Sequence, residues 1–239
     1  LANPFFMITG IDIDSGTQED IMKIAGIDEA GKGPVIGPMC VGGVLLDEAK
    51  TNTLKNLGVA DSKKISPKKR PQLAGQIEKY SEKIFVLEIS ASQIDELRKL
   101  MSMNDIMVVA FSKVLGQLHP EKAYVDAADV NEERFGKRLL EEYGKSYPEK
   151  AAELSIISKH RADATYPVVS AASIVAKVRR DALIEELKED FGVDFGSGYP
   201  SDPKTKQFLA DWYKEHRELP DFVRHSWKTA ENVMKQENE

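Results

Sequence analysis

"KIAGIDEAGKGPVIGP", Lys23–Pro38, is the stretch on which the reading of this chain turns. Gly26–Lys32, G-I-D-E-A-G-K, fills the first seven places of the phosphate-loop pattern G-x-x-x-x-G-K-[ST]. The eighth place calls for a hydroxyl that binds magnesium, and Gly33 stands there instead. Such a loop should open a helix whose N-terminus faces the phosphates, yet Pro34 and Gly37-Pro38 follow. Asp28 and Glu29 inside the spacer would also repel a nucleotide's phosphates unless cations lay between them. The stretch therefore reads as a short buried strand, KIAGID, with Asp28 at its end and a glycine turn behind it. Glycines there let a ligand approach backbone N–H groups closely. An Asp-Glu pair before glycines equally suits a solvated turn, so any chemistry needs partners elsewhere in the chain.

The chain has 239 residues, 41% of them hydrophobic, which suits one large domain or one domain with a smaller appendage. No apolar run approaches the roughly 18 residues of a membrane span, and no secretory signal is visible. LANPFF precedes Met7 and reads as a partly non-native start to an extension over 1–22. The one cysteine, Cys40, lies in the apolar run MCVGGVLL and reads as core filler in a reducing, cytoplasmic compartment. Net charge is −6, which alone speaks against nucleic-acid binding. The segment DSKKISPKKR is locally basic, however, and such a patch can contact phosphates on an acidic chain. It equally suits a solvated loop and helix start.

Strands are expected at 24–28, 39–46, 83–90, 122–128 and 153–160. Helices are expected from Pro67, capped by Ser66, to Tyr80, then over 92–100, 104–118, 131–144 and 170–192. Met107, Val108, Phe111, Val114, Leu115 and Leu118 line one face of the 104–118 helix and read as core. The 170–192 helix carries an apolar stripe including Ala171, Ile174, Val175 and Val178. Ser170, Ser173 and Lys177 fall on its opposite, polar side, where hydroxyls and a lysine near a helix start suit phosphate contact. After Gly192 the texture turns to DFGSGYPSDPKT, and two or three helices follow. Strands alternating with helices give an α/β domain over 23–194, with a small helical subdomain over 195–239.

Asp28 and Asp126 each end a strand, and functional groups of α/β sheets collect outside such ends. Asp163, in KHRAD, lies between the last strand and the long helix. With Glu29 these acids would repel one another unless divalent cations joined them, and hard carboxylate oxygens suit Mg²⁺ or Mn²⁺. Two such ions can clamp a phosphodiester. Sequence spacing alone leaves their convergence open.

Five strings in order, GIDEAGKGPVIGPM, DSKK, DAADVNEERF, KHRADATYPVVSAASIVAKVRRD and GSGYPSDPKT, resemble ribonuclease HII, the type 2 ribonuclease H family. DAADVNEERF leans toward its archaeal branch, and the resemblance runs from Lys23 to Thr229. It implies a ribonuclease H-like fold, a mixed central sheet flanked by helices with a C-terminal helical subdomain. It implies cleavage of RNA in RNA/DNA hybrids and incision 5′ to single ribonucleotides in duplex DNA, with two Mg²⁺ or Mn²⁺ ions per site. The family's catalytic and metal-binding acids match Asp28, Glu29, Asp126 and Asp163. Its glycine motif, which reads the ribose 2′-OH through the backbone, matches Gly31, Lys32 and Gly33. Arginine is common at the Lys32 position, a mild departure. Its junction-sensing tyrosine matches Tyr199.

Ser62, Lys63, Lys64 and Lys177 are expected to meet the substrate backbone, and His160 to assist protonation or metal exchange or else to be structural. RHSWKT, with Trp227 as a packing residue, is assigned to the duplex-binding tail. The C-terminal MKQENE shows no clear sliding-clamp motif, and the chain is expected to be a monomer. The type 3 sister family carries an extra N-terminal domain, for which 22 residues leave little room. A nucleotide-binding regulator would bind ATP and cut nothing. A non-catalytic nucleic-acid module would have no use for clustered acids, which repel a phosphate backbone in the absence of metal.

Overall fold

The computed structural model describes residues 22–59 and 65–236. Residues 1–21 of the expected extension and the expected substrate-contacting residues Ser62, Lys63 and Lys64 lie outside the described residues.

Two nearly continuous apolar runs form the middle of the sheet, β1 (Lys23–Ala30) and β2 (Met39–Asp47). Runs without polar alternation belong to strands covered on both faces. β3 (Lys83–Ile89), β4 (Lys122–Asp126) and β5 (Ser155–Lys159) complete a sheet of order β3-β2-β1-β4-β5. β1, β2 and β3 pair antiparallel, whereas β1, β4 and β5 run parallel. The parallel register sets Gly26 against Tyr124 and Ile27 against Val125.

One face is covered by α4 (Met103–Leu118) and α5 (Glu132–Ser146), whose Phe111, Val114, Leu115, Phe135 and Leu139 pack on Ala25, Ile27, Ala123 and Val125. The other is covered by α8 (Pro167–Phe191), with α1 (Thr51–Asn56) and α2 (Arg70–Tyr80) outside it. α8 seats very closely on β2. A Cβ added at Gly42 would lie 2.6 Å from the Ala172 carbonyl oxygen. Gly42 is the register partner of Asp28, so this close approach brings the start of α8 over the end of β1.

Several expectations need adjustment. α8 begins at Pro167, three residues earlier than expected, because Pro at a first helical turn loses no intrahelical bond. Its supposed polar side is not a surface: Ser170 and Ser173 are fully buried, since α8 has protein on both sides. Ser66 occupies the cap position of a short 3₁₀ turn, Pro67–Lys69, but its side chain makes no capping bond. Three short helices add to the expected set, α1, α6 (Pro148–Glu153) and α7 (Ala162–Thr165). α3 (Ala91–Leu100) matches expectation.

Beyond α8, α9 (Pro203–His216) and α10 (Lys228–Gln236) follow. Leu209, Tyr213, Phe222 and Ala230 of this region form a separate apolar cluster with Val35, Ile36 and Ile184. The C-terminal region therefore grips the glycine turn after β1 as well as the end of α8. Cys40 is fully buried, and burial pushes its thiol up to about 12, as a core filler requires.

Candidate active site

Strand parity puts two of the expected acids side by side. Side chains of a strand alternate between faces, so Asp28 shares the α8 face with Gly26, and Asp126 shares it with Tyr124. Each acid lies one residue past the register pair Ile27–Val125, at the C-terminal ends of adjacent parallel strands. The third acid reaches the same edge through α7. The Ala162 amide donates to Asp126 Oδ1 at 3.0 Å, and Asp163 follows it, buried. Glu29 projects from the end of β1, half-buried.

The electrostatics follow from this crowding. Burial, then Glu29 and Asp126, hold the Asp28 carboxyl well above the usual carboxylate range. Burial also raises Glu29, opposed by Lys32 and reinforced by Asp126. Two donors steady Asp28: the Glu29 amide at 2.7 Å and the Ser173 hydroxyl. Lys177 Nζ donates in turn to Ser173 Oγ at 2.7 Å. Lys177 thus reaches the acids through Ser173. Lys32 Nζ donates to the Ala128 carbonyl at 2.8 Å and so ties the glycine turn to the end of β4.

These residues fit a divalent cation by their chemistry. Asp28 and Glu29 are oxygen donors whose charged forms lack sufficient compensation, which is what a hard cation supplies. No three acidic or histidine side chains among the described residues already share one coordinating sphere.

The glycine turn is shaped by close contacts. Gly31 has φ +86°, and a Cβ there would sit 2.8 Å from the Pro38 carbonyl, so only glycine fits without strain. Exposed Gly33 lies against Tyr199, whose Cε1 would be 3.6 Å from a Cβ at that glycine. Val35 and Ile36 amides both donate to the Gly198 carbonyl, at 2.8 and 3.2 Å, which holds the Tyr199 loop to the turn. His160 is exposed, its Nε2 3.3 Å from the Val130 carbonyl and its amide bonded to Glu132. That setting favours its structural reading.

Two buried arginines escape the sequence reading. Arg180 of α8 lies with its guanidinium carbon 5.7 Å from the Tyr199 ring centre and donates to the Ser197 carbonyl. Arg224 is fully buried and donates to the Gly31, Lys32 and Gly37 carbonyls. Burial lowers its guanidinium below the ordinary arginine value. Trp227 packs as expected, and its Nε1 also donates to the Gly33 carbonyl at 3.1 Å. No periodicity or motif in VRHSW points to Arg224, because its partners are backbone oxygens far away in sequence.

Comparison with known proteins decides the family. A family model described as Ribonuclease HII matches residues 25–230. The chain belongs to the ribonuclease HII family. It is 66% identical over 216 residues to the Ribonuclease HII of Methanosarcina barkeri, covering 90% of this chain and 96% of that one. Among solved structures, the ribonuclease H2 from Pyrococcus horikoshii OT3 is 41% identical with a TM-score of 0.84, covering 91% of this chain and 100% of that one. The RNase HII of Archaeoglobus fulgidus, solved in a complex with PCNA, is 44% identical with a TM-score of 0.78, covering 88% and 96%. Ribonuclease HII enzymes are metal-dependent hydrolytic endoribonucleases acting on the RNA strand of RNA/DNA hybrids, and this chain is one of them by descent. The mixed sheet flanked by helices is the fold of that family. No helix among the described residues is long and apolar enough to cross a membrane.

Proposed function

We propose that this ribonuclease HII cuts the phosphodiester 5′ to a ribonucleotide, in long RNA/DNA hybrids and at single ribonucleotides within duplex DNA. The products carry a 3′-hydroxyl and a 5′-phosphate. The observation that carries the reading is the pairing of β1 with β4, which sets Asp28 and Asp126 at adjacent strand ends on one face.

Asp28, Glu29, Asp126 and Asp163 would hold two Mg²⁺ or Mn²⁺ ions. When bound, such a pair supplies activation of the attacking water and neutralisation of charge on the scissile phosphate. Ser173, backed by Lys177, fixes the Asp28 carboxylate. The amides of the Gly31–Gly33 turn read the 2′-OH, the group that separates RNA from DNA at a single sugar. Tyr199, beside Gly33, packs on the sugar after the cut and favours deoxyribose there. Ser62, Lys63 and Lys64 contact the substrate backbone, and residues 195–239 act as a substrate-binding subdomain. His160 is at most auxiliary. The enzyme acts as a cytoplasmic monomer in replication and in removal of ribonucleotides from DNA. The PCNA complex of the Archaeoglobus fulgidus relative makes binding to a PCNA-type clamp a direct test of the expectation drawn from MKQENE.

The test compares three end-labelled duplexes: a long RNA/DNA hybrid, a DNA duplex with one ribonucleotide, and an all-DNA duplex. Cuts in the first two, mapped 5′ to ribonucleotides with 3′-hydroxyl ends, are expected. Cutting of the hybrid alone would remove the assigned roles of Tyr199 and the glycine turn, and cutting of the all-DNA duplex would refute 2′-OH reading.

A further inference from the structure

The glycine turn is held from beneath by one side chain. Arg224 Nη2 donates to the Gly31 carbonyl at 2.6 Å and to the Gly37 carbonyl at 2.9 Å. Its Nη1 donates to the Lys32 carbonyl at 2.9 Å, and its Nε to Gly37 at 3.1 Å. Trp227 Nε1 adds a bond to the Gly33 carbonyl at 3.1 Å. Two side chains of the C-terminal segment therefore bind the carbonyls of all three residues of the turn.

The guanidinium is itself fixed. The Arg224 amide donates to Val35 and the Gly37 amide to Phe222, each at 2.8 Å, and Ile36 bridges to Val223. The Arg224 guanidinium carbon lies 4.9 Å from the Trp227 ring centre. Asp95 of α3 takes the amides of His225 and Ser226 at 2.7 and 3.1 Å, and the Ser226 hydroxyl at 2.6 Å. The hydrogen bonds of the Arg224 fork all run to backbone oxygens of the turn region.

Peptide geometry converts this into a statement about the other side of the turn. No peptide bond among the described residues is cis. In a trans peptide plane the carbonyl of one residue and the N–H of the next point in opposite directions. Pinning the Gly31 and Lys32 carbonyls toward Arg224 aims the Lys32 and Gly33 N–H groups away from it, to the side of Tyr199 and solvent.

We propose that Arg224, assisted by Trp227, is a positioning residue for ribose recognition: it fixes the direction of the amides that read the 2′-OH. This rests on the reading of the glycine turn given above. Lysine at 224 would keep the charge but cannot bridge three carbonyls with a planar fork.

The test measures binding of two fluorescent DNA duplexes, identical except for one ribonucleotide, in the presence of Mg²⁺. The protein carries Asp126→Asn so that the duplex stays intact. Arg224→Lys in that background is expected to lower the preference for the ribonucleotide duplex about tenfold. Affinity for the all-DNA duplex should fall much less than affinity for the ribonucleotide duplex, and circular dichroism should show a folded chain. Trp227→Phe keeps the ring and removes one donor, and should lower the preference in the same direction by about threefold. A merely structural role would weaken both duplexes in parallel. A folded Arg224→Lys protein with full preference would overturn the proposal. If that variant does not fold, full preference in Trp227→Phe would do so. Absence of any preference in the parent protein would overturn the glycine-turn reading itself and the inference with it.

Discussion

Lys177 donates to Ser173, and Ser173 to Asp28, so a relay of two polar side chains on α8 holds the acid at the end of β1. Both Asp28 and Ser173 are buried. Partners one step removed from a metal typically change affinity by about 10–100-fold when lost. Ser173→Ala is therefore expected to raise the concentration of Mg²⁺ or Mn²⁺ needed for half-maximal hybrid cleavage by at least about tenfold. A metal titration of cleavage checks this. An unchanged metal requirement in a folded variant would remove Ser173 from the account.

The Tyr199 atom nearest the space a Cβ would fill at Gly33 is ring carbon Cε1, at 3.6 Å, and not the hydroxyl. Tyr199→Phe should retain incision at single ribonucleotides. Tyr199→Ala should lose about tenfold or more, the usual worth of an aromatic packing on a nucleotide, with a smaller loss on long hybrids. kcat/KM on both substrates measures the difference. Equal losses on the two would show that Tyr199 does not sense the junction.

Asp28 carries a pH signature of opposite sign to most surface acids. Its folded-state pKa is raised by burial, then by Glu29 and Asp126. The folded state therefore binds that proton more tightly than the unfolded one, and the associated stability is present below the unfolded pKa of about 4 and lost as pH rises through the folded value. With chelator present, the Tm of the parent protein should fall as pH rises toward neutral. Asp28→Asn should flatten that slope and raise the neutral-pH Tm by about 2–4 °C, or about 1 kcal/mol. Mg²⁺ or Mn²⁺ should raise the parent Tm and leave the variant nearly unmoved. Thermal melts over pH, with chelator and with metal, decide this; a variant less stable than the parent at every pH would contradict the burial argument.

Much of this site is legible in the sequence. β4 is a short apolar run ending in Asp126 as expected, whereas β1 runs two residues past Asp28, to Ala30, along β2; what stops at Ile27, one residue before Asp28, is its pairing with β4. Asp163 is legible from its position between a strand and a long helix. The pairing of β1 with β4, which brings the acids together, depends on long-range register and has no local signal. The true start of α8 has one, Pro167 after Tyr166, but the serine-alanine pattern further on is stronger. α7 is too short for any periodicity. Arg180 and Arg224 are illegible for another reason: their roles depend on carbonyls and a ring brought to them by folding, and arginine in an unremarkable helix or turn ordinarily faces solvent.

Everything above depends on metal-dependent hydrolysis at Asp28 and Asp126, set side by side by the β1–β4 pair. Its most direct test is cleavage of a DNA duplex with one ribonucleotide by the parent protein and by Asp126→Asn, with Mg²⁺ or Mn²⁺ and again with chelator. Incision 5′ to the ribonucleotide is expected from the parent with metal, none with chelator, and near-complete loss in a folded Asp126→Asn protein. Incision that persists in chelator, or at full rate in Asp126→Asn, would contradict that assignment.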